Sequence, residues 1–238
     1  MSIKKKKLVV LTGAGMSAES GISTFRDANG LWENYPVEDV ASIEGFERDP
    51  KTVLDFYNML RKKYKDCQPN EGHKVLAELE KYFDITIITQ NIDNLHEKAG
   101  SNKVIHLHGE IAKNRSTKTD QILYDIDPNH PDLHVGDKAP DGGQLRPFIV
   151  WFGEAVPMIE PAIEETQQAD IFVVIGSSLV VYPAAGLLGY VPRKTPVYVI
   201  DPKPVSTSRY DFQLIQEKAT SGVQKLKKIL LEGEGFDE

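Results

Sequence analysis

The chain has 238 residues, of which 40% are hydrophobic and 26% charged, with a formal net charge of −7 and a single cysteine. That length holds one large domain or a domain with a small insertion, and no apolar run approaches the length of a membrane span. The acidic balance argues against nucleic acid as a partner, and the lone Cys67 excludes an internal disulfide and fits a reducing, cytoplasmic compartment.

Lys4 to Lys7 lead into a short apolar run with no small-residue cleavage site, so a strand is expected there rather than a signal peptide. Lys6–Leu11 predicts a buried strand, and Met16–Ser20 a short helix opening at glycines. Asp49-Pro50 supplies an N-cap followed by Pro at the first helical position. Val53, Tyr57, Leu60 and Tyr64 then fall at helical spacing. His73–Lys81 predicts an amphipathic helix. Ile85–Ile88, Val104–Leu107, Ile149–Phe152, Ile171–Ile175 and Val197–Ile200 predict further strands, with helical segments after Phe152 and Ile175. Short apolar strands alternating with helices predict an α/β fold, with a mainly parallel sheet covered on both faces. Asn29 to about Cys67 is too long for one crossover and predicts a helical insertion. Ala112–Arg146, rich in Asp, Lys, Pro and Gly, predicts an irregular one. The tail Glu232–Glu238 is expected to fray.

Four motifs carry chemistry. Gly13-x-Gly15-x-x-Ala18 follows a strand and opens a helix, which suits a pyrophosphate; alone it is equally a tight turn. The acidic residue of a standard dinucleotide fold, expected about 20 residues on, has no clean candidate. Gln90-Asn91-Ile92-Asp93 follows a strand; an amide and a carboxylate there can read a carboxamide and a ribose, although the spacing alone favours a helix-capping turn. His106-Leu107-His108-Gly109-Glu110 closes the next strand and puts both histidines on one face. A base is the better functional reading, with a structural histidine the serious alternative for His106. Gly109 favours His108, by permitting close approach of a ligand. Gly176-Ser177-Ser178 is a small-residue loop at another strand end.

Taken together, the segments GAGMSAESGISTFR, GLW, TQNIDNLHEKAG, VIHLHGE, VWFGE, GSSLVVYPAAG and IDPKP resemble the sirtuins, NAD-dependent protein-lysine deacylases. FRDANGLW, VEDVAS, EGFERDP and FYN bring the bacterial class III branch nearest. The resemblance spans nearly the whole chain outside Ala112–Arg146. It implies a Rossmann-like large domain (1–28, 68–111 and 147–238) and a smaller domain formed by two insertions (29–67 and 112–146). NAD is then a co-substrate whose nicotinamide–ribose bond is cleaved, the acyl group passing from lysine to ADP-ribose.

By the same resemblance, Arg26 and Phe25 match the mobile cofactor loop and Asn91 and Asp93 the residues that order ribose and carboxamide. His108 matches the general base. Gly13, Ala14, Gly15, Ser17, Ala18, Glu19, Trp32, Gln90, Ile92, Gly176, Ser177 and Ser178 belong with the cofactor site. Asp201, Pro202 and Lys203 match an adenosine-binding segment where relatives commonly have Asn, and Ala219 a residue near the adenine. Val150, Phe152, Gly153, Glu154 and Tyr182 match the cleft edges between which a substrate peptide adds as a strand. Acylated-lysine proteins or peptides are the implied partners, with no membrane and no nucleic acid.

Two departures stand out. Sirtuins usually hold a structural zinc on four cysteines in the small domain, and Ile111–Arg146 has none, so no zinc is expected; His130, His134, Asp132 and Asp137 make a poor tetrahedral set. Relatives that remove succinyl groups carry a Tyr and, three residues on, an Arg. Ala28 and Tyr57 match the roomy pocket, but Leu60 replaces that Arg and Arg61 sits one residue later. Acetyl or an uncharged acyl group is therefore expected over succinyl. Two other outcomes use much of the same sequence: a sirtuin-fold mono-ADP-ribosyltransferase, and a non-catalytic NAD or ADP-ribose sensor, against which the presence of His108 and Asn91 argues.

Overall fold

The computed structural model describes residues 4–23, 35–119, 121–205, 207 and 211–235. Strand β1 (Lys7–Thr12) is followed by α1 (Ala14–Ser17) and a 3-10 turn over Ala18–Ser20. Helices α2 (Val37–Val40), α3 (Ile43–Arg48) and α4 (Pro50–Lys65) form the first insertion. Then come α5 (Glu71–Leu79), β2 (Asp84–Thr89), α6 (Leu95–Ala99) and β3 (Val104–His106). Strands β4 (Gly109–Ser116), β5 (Leu123–Asp125) and β6 (Leu145–Ile149) precede α7 (Ile159–Gln167) and β7 (Ile171–Ile175). A 3-10 segment over Ala184–Tyr190, β8 (Val197–Ile200), β9 (Gln213–Ile215) and α8 (Ala219–Glu234) complete the chain.

Strands β3-β2-β1-β7-β8-β9 form one sheet in that order, every pair parallel. Renumbered within the sheet, the order is 3-2-1-4-5-6, so the chain reverses its direction of travel between β1 and β7. The carboxyl ends of those two strands flank the crevice where such sheets bind ligands. Alternate residues of each strand feed opposite faces. Val10, Ile87, Val173 and Ile200 pack beneath α5 and α8; Val9, Ile88, Val174 and Val199 pack beneath α7 and the 3-10 segment. This is the two-faced burial that unbroken apolar strands require.

A third core joins the two insertions: Val53, Phe56, Tyr57 and Leu60 of α4 meet Ile111, Leu133, Ile149 and Trp151. The α4 start was legible, since Asp49 accepts from Thr52 N and Pro50 opens the helix. Three expectations are corrected. The segment after Ala112 is not irregular throughout, because β5, β4 and β6 form an antiparallel sheet. The strand expected over Ile149–Phe152 ends at Ile149; beyond it Val150 N bonds His108 O, and Phe152 pairs with the Ala41–Ile43 turn instead of a sheet. Helix α8, unread in the sequence, runs to Glu234 and closes on Gly235 in the left-handed region, so Glu232–Glu234 are helical rather than frayed.

Candidate active site

The carboxyl ends of β1, β2, β3 and β7 converge on one hydrogen-bonded network. Gly13 N bonds Ile175 O (2.9 Å) and Gly15 N bonds Gly176 O (3.0 Å), which lays one glycine loop on the other. A β-carbon at Gly13 or Gly15 would run into the main chain of Gly176, so these glycines are required first by backbone packing. Gly176, at φ +59, is in the left-handed region as well.

Asn91 donates from Nδ2 to Gly13 O (3.0 Å) and Ser17 Oγ (3.2 Å), which fixes the plane of its amide. Ser17 Oγ donates to Asp93 Oδ2 (2.9 Å). Asp93 also accepts from Leu95 N, so it caps α6 and lines the site at once. Burial raises the Asp93 carboxyl above its ordinary range, against the hydrogen bonds from Leu95 and Ser17 that favour the anion. Gln90 Nε2 donates to Ser177 Oγ (2.9 Å), tying the β2 end to the β7 loop.

His108 Nδ1 lies 2.9 Å from Gln90 O. A carbonyl only accepts, so the proton sits on Nδ1 and the lone pair is left on Nε2. Burial pushes the His108 pKa down, partly offset by that carbonyl. The ring is thus neutral near pH 7 with a basic nitrogen, which has no partner among the described residues. Gly109 is left-handed (φ +82), and a β-carbon there would collide with Phe148 O. The glycine after His108 is therefore demanded by the β4–β6 pairing.

Two buried threonines escaped the sequence reading. Thr12 Oγ1 donates to Thr89 Oγ1 (2.8 Å), and Thr89 Oγ1 accepts from Asn91 N (3.0 Å). A Thr as the last residue of a strand, just before the functional loop, was the available signal.

The remaining candidates divide. Asp201 is buried and its Oδ1 accepts from Lys203 N (2.9 Å), which shapes the turn through Pro202 at the end of β8. Ala14 opens α1 and Ala18 the 3-10 turn, while Ile92 and Ser178 sit in the loops after β2 and β7. Glu19 instead accepts from Thr220 N and Oγ1, next to the buried Ala219, and so caps α8. Phe25, Arg26, Ala28 and Trp32 lie outside the described residues. Tyr182 is 75% and Phe152 54% exposed. Gly153 is left-handed at φ +92. Glu154 is not a free edge group: it takes a bidentate contact from the buried Arg146 (2.6 and 3.0 Å) and a bond from Trp151 N.

Nor is Arg61 free. Its guanidinium bonds Ile111 O (2.9 Å), Lys113 O (3.0 Å) and Asn114 Oδ1 (2.5 Å), and burial lowers its pKa to about 10. Leu60 is 1% exposed, within the third core. Tyr57 is buried beside it, its hydroxyl accepting from Trp151 Nε1 (2.9 Å).

The Sir2 family model matches residues 13–183. The chain belongs to the Sir2 family. An NAD-dependent protein deacylase of Bacteroides thetaiotaomicron is 58% identical over 230 residues, covering 95% of this chain and 98% of the relative. One from Helicobacter pylori is 49% identical over 228 residues, covering 95% and 98%. Among solved Sir2 structures, a mutant homologue in complex with ADP-ribose superposes with a TM-score of 0.88 at 38% identity, covering 98% of this chain and 95% of that one. A Sir2 homologue in complex with NAD gives 0.84 at 39% identity, covering 96% and 91%. In this chain, hydrogen bonds link the Gly13 and Gly176 loops, Asn91 and His108 at one end of the sheet.

Proposed function

We propose that this chain is an NAD-dependent protein-lysine deacylase. The observation that carries the reading is His108, fixed by Gln90 O as a neutral ring with Nε2 basic, within the network that holds Asn91. The residues present fit NAD: a main-chain floor of Gly13, Gly15 and Gly176, an amide and a carboxylate at Asn91 and Asp93, and Asp201 at the end of β8. Bound NAD supplies the ribose carbon to which the acyl oxygen is transferred, with nicotinamide as the leaving group. Asn91 orients the reacting ribose. His108 Nε2 takes a ribose hydroxyl proton, general-base work suited to an imidazole near neutrality. Arg26 and Phe25 are assigned to covering the reacting face. Acylated-lysine peptides are the partners, and Val150–Glu154 and Tyr182 are assigned as edges of their cleft. Incubation with NAD and an acetylated peptide should release nicotinamide, free lysine peptide and O-acetyl-ADP-ribose in equal amounts. Labelling of the protein or peptide by ADP-ribose without deacylation would support the transferase instead.

The finer assignments follow. The large domain comprises 1–28, 68–111 and 147–238, and the small domain 29–67 and 112–146; the third apolar core supports that division, with Ile111, Ile149 and Trp151 reaching across it. The compartment is cytoplasmic, on the strength of a single, unpaired cysteine. Among the described residues no helix is long and apolar enough to cross a membrane.

Acetyl and longer uncharged acyl groups are preferred over succinyl. Leu60 offers no charge, and Arg61 is held through Nε and Nη2 by three hydrogen bonds, with Nη1 buried and unpartnered among the described residues. The other buried guanidinium near Tyr57, Arg146, is paired with Glu154 and stacked 3.4 Å from the Trp151 ring centre. An unpaired carboxylate would be strongly disfavoured there, by roughly 2–5 kcal/mol. Matched acetyl and succinyl peptides should show a catalytic-efficiency ratio above ten in favour of acetyl; a succinyl preference abolished by Arg61→Ala would reverse the assignment.

The insertion does not fit zinc. Asp132 is paired with Lys62 (2.6 Å), and Asp137 accepts from His134 N (2.7 Å). Among the described residues no three His, Cys, Asp or Glu side chains gather as a metal site. Polar pins serve there instead. Asn58 exchanges two hydrogen bonds with Leu133, and Asp141 accepts from both Ser116 Oγ and Gly143 N.

A further inference from the structure

His106 is the one histidine of the HLHGE segment that the reaction does not use. Its side chain is 8% exposed. Nε2 lies 2.7 Å from Glu97 Oε1 on α6, and Nδ1 lies 3.3 Å from the carbonyl oxygen of Asn91. Both neighbours only accept. A neutral imidazole has one N–H and satisfies one of them; an imidazolium satisfies both. His106 and His108, two residues apart, therefore grip the consecutive carbonyls of Asn91 and Gln90.

We propose that Glu97 and His106 form a positioning pair that holds the Asn91 main chain, and through it the Asn91 amide, in the orientation that binds the reacting half of NAD. The proposal rests on the deacylase reading for its kinetic consequence only. With Thr89 Oγ1 on its N–H and His106 on its carbonyl, the Asn91 backbone is clamped at both ends. His106 is a positioning residue, since it reaches the reacting atoms only through Asn91.

The surroundings agree with the geometry. Burial opposes a charge on His106, but the Glu97 hydrogen bond and charge, with Glu110 and the Asn91 carbonyl, outweigh it and raise the pKa above the ordinary histidine value. Glu110 is itself paired with Lys113 (3.0 Å), whose charge also reaches Glu97. Asp93 is favoured as an anion by His106. His96, buried beside it, has its pKa driven well below the usual value by burial and by the neighbouring histidines, so it stays neutral. The two histidines thus titrate apart, His108 below the ordinary value and His106 above it.

The sign is fixed. Deprotonating His106 removes the donor to Asn91, so efficiency toward NAD falls as pH rises through the raised His106 pKa. It falls on the acid side as His108 becomes protonated.

The first test needs no activity: imidazole nitrogen NMR of the apoprotein across a pH series, with His106→Gln for assignment. As pH rises, His106 should keep both nitrogens protonated after His108 has lost one. A His106 that deprotonates before His108 overturns the proposal, whatever the enzyme does. The second is the pH profile of kcat/KM for NAD in wild type, Glu97→Gln and Glu97→Asp, with thermal unfolding as the check on folding. Glu97→Gln should raise KM for NAD about tenfold, the scale of a lost charge-assisted hydrogen bond, leave KM for peptide alone, and move the alkaline limb to lower pH. Glu97→Asp should restore much of this. An unmoved alkaline limb and unchanged KM for NAD in a folded Glu97→Gln overturn the pair. Absence of turnover in the wild type would strike the deacylase reading, and the NMR result would still decide the charge state of His106.

Discussion

The two ends of the six-stranded sheet are both polar, and they are built on opposite terms. At the amino end, Glu165 receives Lys7 Nζ (2.6 Å), Lys103 Nζ (2.6 Å) and Thr86 Oγ1 (2.7 Å), while Asp170 accepts from Lys7 N (2.8 Å). Opposite charges there neutralise one another. At the carboxyl end the groups are fixed from one side only. Asn91 and His108 spend one part of each side chain on the protein, and His108 keeps Nε2 for something else. The same strands supply both ends, so the difference is not one of fold. Saturated polar clusters hold a structure together, whereas fixed but unsaturated ones are ready to do chemistry.

The comparison breaks most sharply at His108. His108→Ala should lower deacylation about a hundred- to ten-thousand-fold, with NAD binding by calorimetry and thermal stability nearly unchanged. Near-wild-type turnover would remove His108 as the base.

Glu165→Gln should do the reverse. Burial disfavours its anion, yet the hydrogen bonds from Lys103, Lys7 and Thr86 hold its pKa at about 2. The depressed value means that Glu165 stabilises the fold above the unfolded carboxylate pKa and loses that contribution as pH falls from about 4.5 to about 2. The substitution should cost about 1–3 kcal/mol at neutral pH and lower Tm by about 2–10 °C, with kcat/KM for NAD intact. Acid unfolding should lose its difference from wild type below about pH 2. A Glu165→Gln protein that keeps its Tm but loses activity would invert the comparison.

The smallest expected effect is at the second insertion, which belongs with the saturated end. Protein purified without added metal should carry far less than one zinc per chain, and a chelator should leave Tm unmoved. Stoichiometric zinc, or unfolding on chelation, would place a metal where Asn58, Ser116 and Asp141 now pin the chain.

Much of this was legible from short-range chemistry. Asp49-Pro50 announced α4, and Ile171–Ile175 and Val197–Ile200 were read to the residue because a buried parallel strand has no polar interruption. β6 was displaced because Arg146 and Pro147 disguise it: the charge is buried against Glu154 and Trp151, partners that only the folded chain supplies. Val223, Leu226 and Leu230 carried the helical spacing of α8 and went unread. In the site, Asn91 was singled out only by the resemblance, since its spacing alone favoured a helix-capping turn, whereas His108 stood out by its motif as well. Glu97 was not singled out, because its partner lies on a strand and it lies on a helix, with nothing in the spacing to join them. Glu19 shows the converse, assigned to the cofactor by resemblance and engaged in the fold with Thr220.

The contact between the Gly13–Gly15 loop and Gly176 leaves the crevice with a floor made of main chain. Such a floor offers no side chain for substitution to vary. Any added carbon displaces one loop from the other before it meets a ligand. Changes in what the crevice accepts are thereby channelled to its walls, while the floor can drift only by losing the fold.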